Sequence, residues 1–321
     1  PGLTFPTGTE GKVFCGENAF CKGEGDILYL AAAKGLGALD ISDPKNPKLA
    51  MKLDTGVLRF DCGASLVQNG TTLYVAGGQG LCVVDVTKPA EPTKVTDDIK
   101  SGSLGSQAGC ALALSEDKKV LYLAGSEGLS VYNVEDPKTL AIIEDATIKD
   151  TGANQSFSGA ALKVEGKMLY VAGGKGLSVF DLSDPKKPNK VTTFNPGTFA
   201  GCSGSAIAIN GNTLYALGKH GLAVVNITNP AQPEKVGDLI NTKVLTMCGG
   251  VAMTLVDDKM IVAGGGGVAT FSIADPTKPT PIKKVKNTGC TNMTGAVELA
   301  VVGPHTYIAG GWGGLGVLDN A

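Results

Sequence analysis

Short runs of apolar residues recur along the chain in pairs, each pair joined by a Gly-rich link and followed by a turn containing Pro. The stretch Leu169 to Pro188, LYVAGGKGLSVFDLSDPKKP, is the clearest copy: apolar run, glycines, apolar run ending on Asp181, then a Pro-bracketed turn. One position of the first run falls at Tyr29, Tyr74, Tyr122, Tyr170, Tyr215, Ile261 and Tyr307, spaced by 45, 48, 48, 45, 46 and 46 residues. A period in the forties with several short strands per unit predicts propeller blades, here seven. Stretches of helical period are no longer than a turn, which excludes a helical solenoid.

Each unit divides into four strands, A to D. In the fourth unit they are Ala160 to Val164, Met168 to Ala172, Leu177 to Leu182 and Lys190 to Phe194. Strands B and C are apolar on both faces, as a sheet sandwiched between two others requires. Strand C ends on Asp40, Asp85, Asn133, Asp181, Asn226, Ser272 or Asp319, short acceptors suited to capping the turn that follows. Pro44, Pro89, Pro137, Pro185, Pro230 and Pro276 then fix φ and end the strand. The seventh unit stops after strand C, and Leu3-Thr4-Phe5 matches the missing strand D. The expected fold is an all-β, seven-bladed propeller of four-stranded antiparallel blades. It forms one domain over residues 1–321, with residues 1–10 completing the last blade.

GLCVVDVTKPAEP, GLSVFDLSDPKKP and GLAVVNITNPAQP resemble the LVIVD repeat of secreted or surface β-propellers. The likeness runs through all seven units and is weaker in the sixth, GVATFSIADPTKP, and the truncated seventh. The resemblance implies the fold and carries no catalytic set. No Trp-Asp dipeptide of the WD type ends any strand C.

Gly is abundant, 46 residues in 321, but sits at fixed places in each unit and marks turns. Net charge is −2 and Arg59 is the sole arginine, which argues against nucleic-acid binding. No apolar run is long enough to span a bilayer as a helix. The start at Pro1 rather than Met is read as a processed or partial product.

Six cysteines, Cys15, Cys62, Cys110, Cys202, Cys248 and Cys290, each stand just before strand A, so they should ring one mouth of the central channel; the fourth unit has Ser158 there. They read as small buried residues, as metal thiolates or as disulfides. The wide spacing disfavours a metal. Neighbouring blades pair them in one way: Cys202–Cys248, Cys290–Cys15 and Cys62–Cys110. Cys21 and Cys82 are expected to be buried thiols, with Cys15–Cys21 the competing pair. Disulfides would place the chain in an extracellular, periplasmic or other lumenal compartment. Sequons at Asn69, Asn154, Asn226 and Asn292 agree, with Asn226 rather enclosed for a glycan.

The B–C hairpin tips vary where their surroundings do not: Lys34, Gln79, Glu127, Lys175, His220, Gly266 and Trp312. With Arg59, all but Gly266 make a candidate interaction rim. Thr96 to Gly109 and Ala146 to Phe157 read as the longest D–A loops. His220 and His305 lie in different blades, His305 in an A–B turn, and no nucleophile elbow or phosphate loop appears. The expected function is therefore a non-catalytic extracellular or lumenal module binding a protein or glycan, without metal or cofactor. The alternatives are a structural subunit of a larger extracellular or membrane-associated assembly, and a metal-dependent propeller hydrolase or lactonase.

Overall fold

The computed structural model describes residues 3–4, 19–32, 35–58, 63–105, 109–136, 140–154, 159–199, 204–245, 250–285, 297–310 and 314–319. Seven four-stranded antiparallel sheets form, each in the order A-B-C-D. The fourth is Ala161–Glu165, Met168–Gly173, Gly176–Asp181 and Asn189–Phe194, within a residue of the expected bounds. The seven A strands touch one another in a closed circle, blade 7 meeting blade 1. Blade 7 takes its fourth strand from the N-terminus, with Leu3 opposite Val317 and Thr4 opposite Gly316.

The core lies between blades. Strands B and C are buried along nearly their whole length, whereas strand D of blade 1, Lys48–Leu53, alternates exposed and half-buried residues. Each seam holds its own apolar cluster. Tyr29, Ala31 and Leu36 of blade 1 meet Leu73, Val75 and Val84 of blade 2; Leu28, Leu30 and Leu39 on its other face meet Tyr307, Ala309 and Val317 of blade 7. A continuous apolar run, rather than alternation, is what a sheet covered on both faces needs.

The recurrent Tyr and the recurrent Pro belong to one device. The hydroxyls of Tyr29, Tyr122 and Tyr215 donate to the carbonyls of Pro89, Pro185 and Pro276 in the next blade, at 3.0, 2.8 and 2.8 Å. These clasps tie the C–D turn of one blade to strand B of its neighbour. Removing one hydroxyl strands a part-buried carbonyl, so Tyr122→Phe should cost about 1 kcal/mol, read as a lower midpoint in urea unfolding.

The strand C termini cap turns as the sequence suggests. Carboxylate or amide oxygens of Asp40, Asp85, Asn133, Asp181 and Asn226 accept the backbone N–H two residues on, at 2.7 to 3.0 Å. Their part in the fold is thus local.

The two long D–A loops are shorter than expected. In blades 2 and 3 strand D is only Thr93–Lys94 and Ala141–Ile142, yet Ile99 and Ile148 return to pair with Leu81 and Leu129 of strand C. A bulge and, in blade 3, a 3₁₀ turn at Glu144–Ala146 interrupt the outer strand, so its far end resembles loop in sequence.

Candidate functional site

The D–A loops that follow blades 1 to 5 support the hairpins of blades 2 to 6. Carbonyls of Val57, Ser103, Ala153, Thr198 and Val244 accept the N–H of Gln79, Glu127, Lys175, His220 and Gly266 at 2.8 to 3.1 Å. The side chains of Gln79, Glu127, Lys175 and His220 stand exposed on a fixed backbone. Lys34, Arg59 and Trp312 lie outside the described residues. His305 opens strand B of blade 7, at the opposite face, instead of lying in the turn.

Inside this rim the inner strands close on one another. An added Cβ on Gly109, Gly159 or Gly204 would meet the Cα of Gly159, Gly204 or Gly250, the corresponding glycine of the next blade, at 2.9 to 3.1 Å. So close a backbone approach makes a throat with no room for a side chain at these three positions. Cys110 sits here, its Sγ donating to Gly63 O at 3.3 Å. Each expected disulfide, Cys202–Cys248, Cys290–Cys15 and Cys62–Cys110, has at least one member outside the described residues. Cys21 and Cys82 are free thiols in strands A and C. Burial pushes them up to about 11 and about 12, so neither is a thiolate nucleophile near neutrality.

Below the throat the central channel holds a cavity of about 220 Å³. Strand register defines its layers. The residue of strand A opposite the last residue but one of strand B is Ala19, Ser65, Ala111, Ala161, Ala206 and Ala252 in blades 1 to 6, and Glu298 in blade 7. The next layer, toward the far mouth, is bulky and apolar: Phe20, Leu66, Leu112, Leu162, Ile207 and Met253. Ser65 Oγ accepts the N–H of Leu112, joining the inner strands of blades 2 and 3 at 2.9 Å.

Glu298 is thus a single carboxyl in a ring of alanines, half-buried and lining the cavity. Burial pushes its pKa up to about 7, a hydrogen bond from the Leu299 N–H partly opposing this. Near neutrality such a group takes up and returns a proton readily. The sequence offers a signal for it, since strand A of the seventh unit carries Glu where the others have Ala or Ser. A search for an acid repeated in every blade passes over one that occurs once.

No group of three or more His, Cys, Asp or Glu that would hold a metal occurs among the described residues. The other polar side chains lining the cavity are the Ser65 and Ser205 hydroxyls and the Cys110 thiol, each in a different blade from Glu298, a set that does not fit a resident catalytic metal. Of the sequons, Asn154 is buried, its amide donating to the carbonyls of Gly125 and Gly128. The Asn69 amide donates to Lys118 O in the next blade. Asn226 is exposed, contrary to the expectation of an enclosed site, because the C–D turn projects from the sheet. Asn292 lies outside the described residues.

A repeat-family profile described as LVIVD repeat matches residues 24–55, 67–97, 159–195, 202–239 and 295–319, about half of the chain. The truncated seventh unit is matched; the third and sixth lie outside these segments. No curated protein matches the chain in sequence. Among solved structures it is similar to a Bacteroides fragilis protein provisionally named a 6-phosphogluconolactonase, with 16% identity, 84% of this chain and 83% of that one covered, and a TM-score of 0.66. The periplasmic gluconolactonase of Pseudomonas aeruginosa gives 14%, 85%, 85% and 0.66. Virginiamycin B lyase of Staphylococcus aureus gives 10%, 95%, 95% and 0.61. At these identities the likeness establishes the propeller. The expectation of a non-catalytic chain is nonetheless corrected: proteins named as enzymes share this ring over most of its length. The sequence reading passed over Glu298, an acid whose place in the channel only the register shows.

Proposed function

Because the chain belongs to the LVIVD-repeat family and its channel encloses one carboxyl, we propose that it is a propeller enzyme of hydrolase or lyase type, with Glu298 as its acid–base group. The observation that carries this is the ring register: six small residues and one glutamate, which burial holds near neutrality. The names of the similar lactonases and lyase support the reaction class.

Among the described residues the lining holds one carboxyl, and this limits the chemistry. Glycoside cleavage uses two carboxylates and acyl transfer by serine uses a nucleophile, a base and an orienting acid. A single acid–base group suffices for a carbonyl that is already activated, or for removal of an acidic proton beside one. Hydrolysis of an ester ring and β-elimination both qualify. The cavity of about 220 Å³ lies below the roughly 300–1,000 Å³ of ordinary ligand sites, so the reacting group is small.

The test is turnover of gluconolactone, followed by acid release above the buffer background, in the native chain and in Glu298→Gln and Glu298→Asp. Glu298→Gln should lower kcat by about 10²- to 10⁴-fold, with partial recovery in Glu298→Asp. In the native chain kcat/KM should rise with pH through about 7, as the carboxylate forms. A native chain that gives no rate above background, or a Glu298→Gln chain as fast as the native one, overturns the proposal.

A further inference from the structure

Charge is as uneven in the chamber as size. None of the described residues lining it is Lys, Arg or His; beside Glu298 its lining comprises alanines, aliphatic side chains, Phe20, Met253, the Cys110 thiol and two serine hydroxyls. Along the inner strands the nearest cations among the described residues are Lys163 and Lys22, beyond the bulky apolar layer toward the far mouth. Lys163 is exposed there, and Lys22 Nζ is held by the carbonyl of Gly23 at 2.7 Å. On the near side, Lys175 and His220 stand on exposed hairpin tips outside the glycine throat.

We infer that the chamber takes small uncharged lactones and turns away their phosphorylated counterparts. The inference rests on Glu298 acting as the acid–base group. A phosphate entering the chamber would lose hydration, gain no cation from the described lining and face the Glu298 carboxylate. Sites built for phosphate supply Arg, Lys or a helix N-terminus, and the described lining supplies none of these. An uncharged lactone loses less hydration than a charged phosphate and needs one proton-transfer partner.

The step balances with water as the co-reactant. The water oxygen bonds to the lactone carbonyl carbon while one of its protons passes to the Glu298 carboxylate. Collapse of the tetrahedral species breaks the ring C–O bond. Glu298 returns the proton to the departing ring oxygen, which becomes the product hydroxyl. The new carboxylic acid gives its proton to solvent, and the resulting anion is repelled by Glu298, again ionised. Like charge therefore favours product release by the same means that exclude a phosphate.

Initial rates for gluconolactone and for its 6-phosphate, measured at about pH 8 and at low and high salt, test this. Preference for the uncharged ring should be at least tenfold in kcat/KM and should narrow as salt screens the carboxylate. Equal or faster turnover of the 6-phosphate overturns the inference; if Glu298→Gln still abolishes that turnover, the acid–base role stands without it. If neither lactone is turned over, the acid–base role fails, and calorimetric binding of the two corresponding lactams decides the inference. A preference for the uncharged lactam that shrinks in Glu298→Gln supports charge selection. Equal or tighter binding of the phosphorylated lactam overturns it.

Discussion

Gly125→Val is expected to leave the propeller unable to fold stably, with a loss above about 3 kcal/mol. A Cβ on Gly125 would sit 2.4 Å from the carbonyl oxygen of Ser103 and 3.2 Å from the Cα of Leu104. Both are backbone atoms of the preceding blade's D–A loop. That carbonyl is already fixed, accepting the N–H of Glu127 at 3.0 Å, so no flexible group can yield. The same approach recurs at Gly77, Gly173, Gly218 and Gly264, where the carbonyls of Val57, Ala153, Thr198 and Val244 stand 2.5 to 2.7 Å away. The control is Gly166, in an A–B turn at φ +56° with nothing near its side. Gly166→Ala should cost only the left-handed backbone, about 1–2 kcal/mol. Urea unfolding of the two variants beside the native chain separates contact from conformation. Equal stability of Gly125→Val and Gly166→Ala would show that blade-to-blade contact is not what keeps this glycine.

The repeat made most of the fold legible, because every strand B and C obeys one rule: both faces are covered, so both are apolar. The turn acceptors were legible for the same reason, since Asp181 acts only on the N–H of Ser183 two residues away. What depends on a neighbouring blade was harder to see. The Pro in the C–D turn reads as a strand breaker, yet the carbonyl of Pro185 also receives the Tyr122 hydroxyl across a separation of 63 residues. Ile99 reads as loop because its pairing with Leu81 skips over a bulge.

The candidate site was less legible than the fold. The hairpin residues Gln79, Glu127, Lys175 and His220 could be placed from their variability, because the B–C hairpin is itself a local structure. The channel could not, because its lining is one short segment from each of seven distant units. Alanine at Ala111, Ala161, Ala206 and Ala252 gives no chemical signal alone. It acquires meaning only when register sets it level with Glu298.

Glu298 should also make the propeller lose stability as pH rises, independently of any substrate. Its carboxyl moves from an ordinary value of 4.5 up to about 7 in the folded chain, with burial as the main cause. Below 4.5 both folded and unfolded chains hold the proton, and the carboxyl costs nothing. Between 4.5 and 7 the unfolded chain releases the proton while the folded chain keeps it, so stability falls with pH. Above 7 the folded chain carries the full penalty of a carboxylate among alanines. A shift from 4.5 to about 7 corresponds to at most about 3 kcal/mol, and to less because the side chain is only half-buried. Asp40, Asp43, Asp181 and Asp275 act in the opposite sense: turn hydrogen bonds lower their pKa values, so what they add is present at neutral pH and lost in acid. They are common to both chains when Glu298→Gln is compared with the native protein, and cancel in the difference. Glu298→Gln should match the native stability near pH 4, surpass it progressively from about 4.5 to 7, and keep a constant advantage above that. Urea unfolding of both chains across this range measures the gap. A gap that stays level with pH would mean that Glu298 titrates like an exposed carboxyl, and the enclosed acid on which the proposed chemistry depends would not exist.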